Sequence, residues 1–139
     1  MTISTTNQSR VLEDLIVSCH GAIYVYGVIA AYLPDPNQAL DALAEFRVQR
    51  DYLLTTQSNI EFLPPPAKAA YVLDSPITDE FTARASAATL EERAVAHWAA
   101  AIAFLPQQMK QDETDFLQRC AIRSFNWSGI AKAFSSSVD

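Results

Sequence analysis

The side chains best suited to chemistry in this 139-residue chain are its only histidines and cysteines: His20, His97, Cys19 and Cys120. Helical bundles that hold two irons supply a Glu-x-x-His pair from each of two helices. Here a valine and an alanine stand three positions before the histidines, so neither pair is present. Cys19 and His20 project about 100° apart on a helix, which disfavours a shared zinc ion. We therefore expect no metal, no cofactor and no catalytic residue.

Charged residues stand near inward-facing positions of two apolar stripes. Arg50 continues the stripe that passes through Phe46, and Glu91 interrupts a later, alanine-rich stripe. An unpaired buried charge is costly, so one hypothesis is that Arg47 or Arg50 pairs with Glu91 or Glu92 inside the protein. The alternative is that all four are border residues whose charged ends reach water.

His20 also has two interpretations. Together with Tyr24, Arg50 and Glu91 it could form a polar binding or catalytic site between helices. Alternatively, it is a partly buried histidine that is hydrogen-bonded to a nearby acceptor, because no ligand spacing accompanies it. We favour the second interpretation.

Prolines divide the chain into four helical segments that must position these residues. The predicted helices cover residues 7–33, 37–58, 78–104 and 108–134 of a single domain, 1–139. Asp35 is expected to cap the second helix, with Pro36 in its first position. The third helix carries apolar residues on two faces, one through Phe81, Ala85, Ala88, Val95 and Ile102, the other through Ala87, Ala94, Trp98, Ala101 and Leu105.

A proline-rich stretch from about residue 59 to residue 75 separates the second and third helices. Extended at roughly 3 Å per residue it spans about 50 Å, more than the length of a 25-residue helix. Its apolar side chains, Phe62, Leu63, Tyr71, Val72 and Leu73, are expected to pack onto the helices. A short, a long and a short connection is the order found in ferritin-like bundles. We predict an all-α, ferritin-like four-helix bundle with a long proline-rich crossover between helices 2 and 3.

Composition and charge disfavour some classes of binding partner. The net charge is −6 and the ten Lys and Arg residues are scattered, so we expect no nucleic-acid and no membrane partner. No uninterrupted apolar run long enough to cross a bilayer is evident, and the polar N-terminus lacks the pattern of a secretory signal. A cytoplasmic protein with free thiols follows, and one disulfide between Cys19 and Cys120 is the alternative.

Several strings carry a resemblance to a known family. They are CHGAIYVYG at 19–27, FRVQRD at 46–51, PP at 65–66 followed by AYVL at 70–73 and PITD at 76–79, and LEE at 90–92. Together they resemble the bacterial ferritin-like family called domain of unknown function 4439. The family pattern carries Glu where Cys19 stands and His where Phe46 stands, so the resemblance implies that two potential metal ligands are lost. It implies the fold and no established activity.

Two function classes follow. We favour a non-catalytic bundle that acts through protein association, as a homodimer built on helix 3 or on the crossover, because helix 3 is apolar over much of its circumference. The alternative is a small-molecule binder or enzyme with a polar site around His20.

Overall fold

The structure is a computed structural model that describes residues 2–56, 65–68, 71, 73, 75–104 and 110–129, with only the backbone at 2–7 and 56. Four helices account for most of these residues: α1 (Thr2–Ala31), α2 (Asn37–Thr56), α3 (Glu80–Ile102) and α4 (Lys110–Ser128). The described residues contain no strand. The chain is therefore all-α, as predicted.

Side chains of aspartate fix the start of two helices. The Asp35 carboxylate accepts a hydrogen bond of 3.0 Å from the backbone N–H of Asn37, which confirms the predicted cap of α2. Asp79 accepts the backbone N–H of Thr82 at 2.8 Å, and the Thr82 hydroxyl accepts the backbone N–H of Asp79 at 3.1 Å. This reciprocal capping box begins α3 at Glu80 rather than at residue 78.

The other helix ends differ from the predicted bounds. α1 begins at Thr2 rather than near residue 7, and it ends at Ala31. α4 ends at Ser128 rather than near residue 134, because Gly129 takes a left-handed conformation with φ of 73° and donates its N–H to the Phe125 carbonyl. The predicted turn at 105–109, residues 57–58 and the predicted end of the last helix, 130–134, lie outside the described residues.

Contacts between side chains give the direction of each helix. Gln8 near the start of α1 reaches the Phe104 carbonyl just after α3, while Tyr26 late in α1 meets Glu91 in the middle of α3, so these helices are antiparallel. The five-residue connection after Ala31 makes α2 antiparallel to α1 as well. Consequently α2 and α3 point the same way.

The described residues between α2 and α3 run beside α1. The Pro65 carbonyl lies 3.2 Å from His20 Nε2, and the Tyr71 ring packs 5.7 Å from the ring of Tyr24. Chain position rises along both segments, so this part of the connection runs parallel to α1. Phe62, Leu63 and Val72 lie outside the described residues, whereas Leu73 packs on the core as expected.

The core lies along the seam where the four helices meet. Most predicted stripe positions of α1 and α2 are buried, and α3 buries the face through Ala87, Ala94, Trp98 and Ala101. On the other predicted face, Phe81 is 79% exposed and Ala85 is exposed, whereas Ala88, Val95 and Ile102 are half-buried. Only one of the two apolar faces is therefore fully buried.

α1 has a second property of note. Its segment Gln8–Ala31 is long and apolar enough to cross a membrane, judged by length and composition alone, although the sequence pattern had indicated no such run. Here the segment packs against α2 and α3, and it contacts Pro65 and Tyr71 of the long connection. A core helix passes the same test of length and composition as a spanning helix.

Two glycines should respond in opposite directions to the same substitution. Gly27→Ala adds a methyl group with no atom within 4 Å in the exposed face of α1, so we expect the free energy of unfolding to rise by about 0.5–1 kcal/mol. Gly129→Ala forces an alanine into the left-handed region and should lower it by about 1 kcal/mol. Urea unfolding followed by circular dichroism measures the free energy of unfolding of both variants. A loss of stability in Gly27→Ala would contradict the placement of Gly27 on the exposed face of α1.

Candidate functional site

Glu91 is a fully buried carboxylate at the centre of a polar cluster that joins three helices. Its Oε2 accepts a short hydrogen bond from the Tyr26 hydroxyl on α1 and one of 2.8 Å from Arg123 Nε on α4. Trp127 Nε1 donates to the Tyr26 oxygen at 2.9 Å. The Arg123 side chain is 14% exposed, so the ion pair is almost entirely removed from water. Such a pair holds the helices in one register only while both charges are present.

The cluster extends to α2 through Gln49, which is also fully buried. Trp98 Nε1 donates to the Gln49 oxygen at 3.0 Å, and the Gln49 amide donates to Cys120 Sγ at 3.5 Å. Arg123 Nη2 also lies 3.2 Å from Cys120 Sγ. One continuous set of hydrogen bonds therefore reaches all four helices.

Arg123 connects this cluster to a surface groove between α2 and α4. Its guanidinium lies 5.3 Å from the centre of the Phe46 ring, and Nη1 lies 3.8 Å from Glu45. Arg119 pairs with the same Glu45 carboxylate at 2.7 Å and is 60% exposed. The groove has a volume of about 250 Å³, and Asp41 and Asn126 line it as well. Arg123 thus lies between a buried carboxylate and water.

Burial holds the protons on the nucleophilic groups of this cluster. It raises the pKa of Cys120 to about 12, with the Glu91 charge adding to the effect, and the pKa of Cys19 to about 12, with Cys120 adding to it. The pKa of Tyr26 is also strongly raised, by burial and then by Glu91. Burial raises the pKa of Glu91 against the hydrogen bonds from Arg123 that lower it. Both thiols are free and protonated at neutral pH, which makes them poor nucleophiles.

The residues predicted from sequence are distributed over two regions. Glu91 is buried and charge-paired, as one hypothesis required, but its partner is Arg123 rather than Arg47 or Arg50. Arg50 contacts Asp51 at 3.1 Å, and Arg47 is exposed. Glu92 is exposed as well. For Glu91 the predicted cation was wrong, because α2 presents Gln49 to the interior, while Arg47 is exposed and the half-buried Arg50 pairs with Asp51.

His20 and Tyr24 lie on a different face of α1 from Tyr26. His20 is partly buried with Nε2 at 3.2 Å from the Pro65 carbonyl, which agrees with the favoured interpretation of a satisfied histidine. Tyr24 packs on Tyr71. The hydrogen bond of His20 and the ring contact of Tyr24 therefore involve the long connection, whereas Glu91 binds Tyr26 and Arg123.

Sequence reasoning missed three polar residues of the interior: Gln49, Glu113 and Arg123. In α4, Cys120, Ser124 and Trp127 follow the spacing of an inner stripe. A step of three from Cys120 gives Arg123, which fits the spacing equally well. Spacing alone therefore does not decide whether Ser124 or Arg123 faces inward.

A second cavity lies between α1 and α3, beside the described residues of the long connection. Its volume is about 340 Å³, and Ser18 of α1 and His97 of α3 meet at one side with Oγ and Nδ1 3.1 Å apart. Gly21, Phe46 and Ile77 contribute to its walls. In the part of the chain that the structure describes, no group of three or more His, Cys, Asp or Glu side chains could hold a metal ion.

The family profile named Domain of unknown function (DUF4439) matches residues 12–137. This chain belongs to the DUF4439 family. The resemblance carried by the CHGAIYVYG and FRVQRD strings is thereby confirmed. Cys19 and Phe46, where the resemblance led us to expect Glu and His, are buried in the core, at 2% and 1% exposure.

One solved structure shares the fold of this DUF4439 protein. The crystal structure of a conserved hypothetical protein, rv2844, from Mycobacterium tuberculosis superposes with a TM-score of 0.84 and 23% sequence identity. The match covers 88% of this chain and 96% of the other. None of the curated proteins matches the chain.

Removing the charge of Arg123 should destabilise the protein, because the buried Glu91 carboxylate loses its cation. We expect Arg123→Met to lower the free energy of unfolding by about 3–5 kcal/mol, because Glu91 then stays buried without its cation. Arg119→Met, which removes a similar pair from an exposed site, should cost less than about 1 kcal/mol. Adding Glu91→Gln to Arg123→Met should recover part of the loss. Equal losses in the two single variants, measured by urea unfolding, would contradict this ranking.

Glu113 should make the protein less stable as pH rises. It is fully buried, both carboxylate oxygens lack hydrogen-bond partners, and burial raises its pKa from 4.5 to about 7. The unfolded chain releases this proton first, so the stabilisation present below pH 4.5 is lost between about pH 4.5 and pH 7. Glu113→Gln should remove about 2 kcal/mol of that pH dependence.

The matched control for Glu113 is Asp115→Asn, which lies two residues further along α4 and is exposed. It should leave the slope of stability against pH unchanged between pH 4.5 and 7. Urea midpoints measured across this range separate the variants, and an unchanged slope in Glu113→Gln would rule out Glu113 as the titrating group.

Proposed function

We propose that this DUF4439 protein is a ferritin-like bundle with a long crossover, that it is not an enzyme, and that it acts by associating with a second copy of itself. The parallel direction of α2 and α3 supports the ferritin-like order of helices, since two consecutive helices that point the same way need a long connection. Pro65 and Tyr71, which lie beside His20 and Tyr24 of α1, support the crossover. Each part of the proposal has its own physical argument.

A non-catalytic role is supported by the contacts that the buried polar side chains make. Tyr26 and Arg123 bind Glu91 across the helices, and Gln49 bonds Trp98 and Cys120. The thiol of Cys120 is held protonated. A general base or nucleophile needs a pKa near the working pH and access to a substrate. These groups lack both, so their arrangement favours a role in holding the helices together.

Association is supported by the apolar side chains that remain outside the core of α3 and α4. Phe81 is 79% exposed, Ile122 59%, Phe125 50% and Phe104 47%. This exposure is the observation that carries the proposal, because large apolar side chains left in water gain free energy when a partner buries them. α3 also exposes Ala85, Ala96, Ala99, Ala100 and Ala103, small residues that allow close approach of a second helix.

A cytoplasmic location without membrane or nucleic-acid partners belongs to the same proposal. The net charge of −6 disfavours polyanions. α1 has the composition of a spanning helix, but its buried face carries Tyr26 and Cys19, which take part in the contacts of the other helices. We therefore assign α1 to the core of the bundle.

The test is the mass of the protein in solution. We expect a dimer for the wild-type chain by light scattering coupled to size exclusion, and a monomer for the double variant Phe81→Ser with Phe125→Ser. Both side chains are at least half exposed, so their replacement should leave the fold intact by circular dichroism.

The control is Leu40→Ser with Val48→Ser, which removes two exposed apolar side chains from α2 instead. This variant should remain a dimer. A wild-type monomer at high protein concentration, or a dimer that survives the α3 and α4 substitutions, would overturn the proposed surface.

A further inference from the structure

The first and the last helix of the bundle, α1 and α4, run in the same direction. Ser124 of α4 donates a hydrogen bond to the Ala88 carbonyl of α3, and Arg84, one turn earlier in α3, packs on Trp127 later in α4. α3 and α4 are therefore antiparallel. Because α1 is also antiparallel to α3, α1 and α4 are parallel.

The two cysteines occupy matching positions on these parallel helices. Trp127 Nε1 donates a hydrogen bond of 2.9 Å to the Tyr26 hydroxyl, which fixes the relative height of α1 and α4. Cys19 lies seven residues before Tyr26, and Cys120 lies seven residues before Trp127. Seven residues of helix advance about 10.5 Å and return to within about 20° of the same face. Equal steps along parallel helices therefore place Cys19 and Cys120 at one level, both facing the core.

The surroundings of the two thiols support this placement. Both side chains are buried in one core, and both are free thiols in the structure. Burial raises the pKa of Cys19 to about 12, and the charge of Cys120 adds to that rise, an interaction that requires the two groups to be close. One further step of seven residues leads to Leu12 and Glu113, which are both fully buried. The same register thus holds over three levels of α1 and α4.

Two facing thiols can close into a disulfide or bind a thiophilic metal ion, and the neighbouring charge favours the disulfide. Arg123 Nη2 lies 3.2 Å from Cys120 Sγ, so its guanidinium would repel a metal cation on that sulfur. A metal ion would also require both thiols to be ionised, which burial opposes. A disulfide carries no charge, so it needs no compensating group in the core.

We propose that Cys19 and Cys120 are a redox pair that closes into a disulfide between α1 and α4 in the presence of a low-molecular-weight disulfide such as oxidised glutathione. One cysteine thiolate attacks a sulfur of oxidised glutathione, which forms a mixed disulfide and releases one glutathione thiolate. The other cysteine then attacks the protein sulfur of the mixed disulfide and releases the second glutathione. The two cysteines lose two electrons and two protons, and the oxidised glutathione gains them.

The disulfide makes the bundle responsive to its redox environment. It ties the first helix to the last and closes a loop from residue 19 to residue 120, which restricts the unfolded chain and so stabilises the folded one. Because both thiols are buried, the oxidant reaches them only when the helices open transiently, so closure is slow. The bond forms inside one chain, and the proposal does not depend on whether the protein is a dimer.

The first experiment measures the thiol–disulfide equilibrium of the wild-type chain in glutathione buffers, once folded and once unfolded in urea. Acid quenching, alkylation of the remaining thiols and intact mass distinguish the reduced, mixed and bridged forms. The equilibrium constant for closing the bridge should be at least about tenfold larger in the folded protein, because the fold holds the two sulfurs together. An equal or smaller constant in the folded protein, or bridges only between two chains, would overturn the proposal.

A matched control moves one thiol by a single position. Cys120→Ala combined with Ala121→Cys keeps two cysteines but turns the α4 thiol by about 100° to an exposed position. Folding should then give no advantage to the bridge, and circular dichroism verifies that the variant folds. If folding favours the bridge as strongly in this variant as in the wild type, the register of Cys19 with Cys120 is refuted.

Thermal unfolding tests the effect on the bundle. The bridged wild-type protein should melt about 5–15 °C above the reduced protein, because the closed loop is long. Cys19→Ser cannot close the bridge within one chain and should gain no such increase from oxidised glutathione. A bridged protein that melts at or below the reduced one would contradict the proposal, since the fold would then hold the two sulfurs apart.

Discussion

Burial of Glu91 is the constraint on which the arrangement of the helices depends. A carboxylate removed from water loses many kcal/mol of hydration, and only a cation with well-placed hydrogen bonds compensates for it. α3 carries the carboxylate, α4 supplies Arg123, and α1 supplies the Tyr26 hydroxyl. Because each group comes from a different helix, the helices must keep one relative rotation and one relative height for the charge to be neutralised.

The other polar groups of the core are also paired by hydrogen bonds. Arg123 also reaches Cys120, whose sulfur accepts the amide of Gln49, and Gln49 accepts the indole N–H of Trp98. Phe46 lies under the guanidinium of Arg123 and beside the ring of Tyr26, so it covers the ion pair with apolar surface. Glu113 is the contrasting case, a carboxylate without a partner, and its raised pKa reflects that lack.

The polar interior and the groove between α1 and α3 differ in the contacts that their side chains make. The polar interior is occupied by contacts between helices, and its thiols are protonated. The α1 and α3 groove instead combines apolar walls, a Ser18 and His97 pair and an unfilled position at Gly21. A binding function therefore fits the groove better than the interior, while the exposed apolar side chains of α3 and α4 fit association.

The sequence by itself determined the number and rough extent of the helices and the cap at Asp35, and it left open whether Glu91 is buried or reaches water. The helices and the cap follow from local periodicity and capping chemistry, which depend on residues a few positions apart. Only the tertiary structure decided that Arg123 rather than Arg50 meets Glu91, that Gln49 faces inward, and that His20 and Tyr24 lie away from both. Those outcomes depend on the rotation of each helix about its axis, a quantity fixed by contacts between distant segments and not by spacing within one.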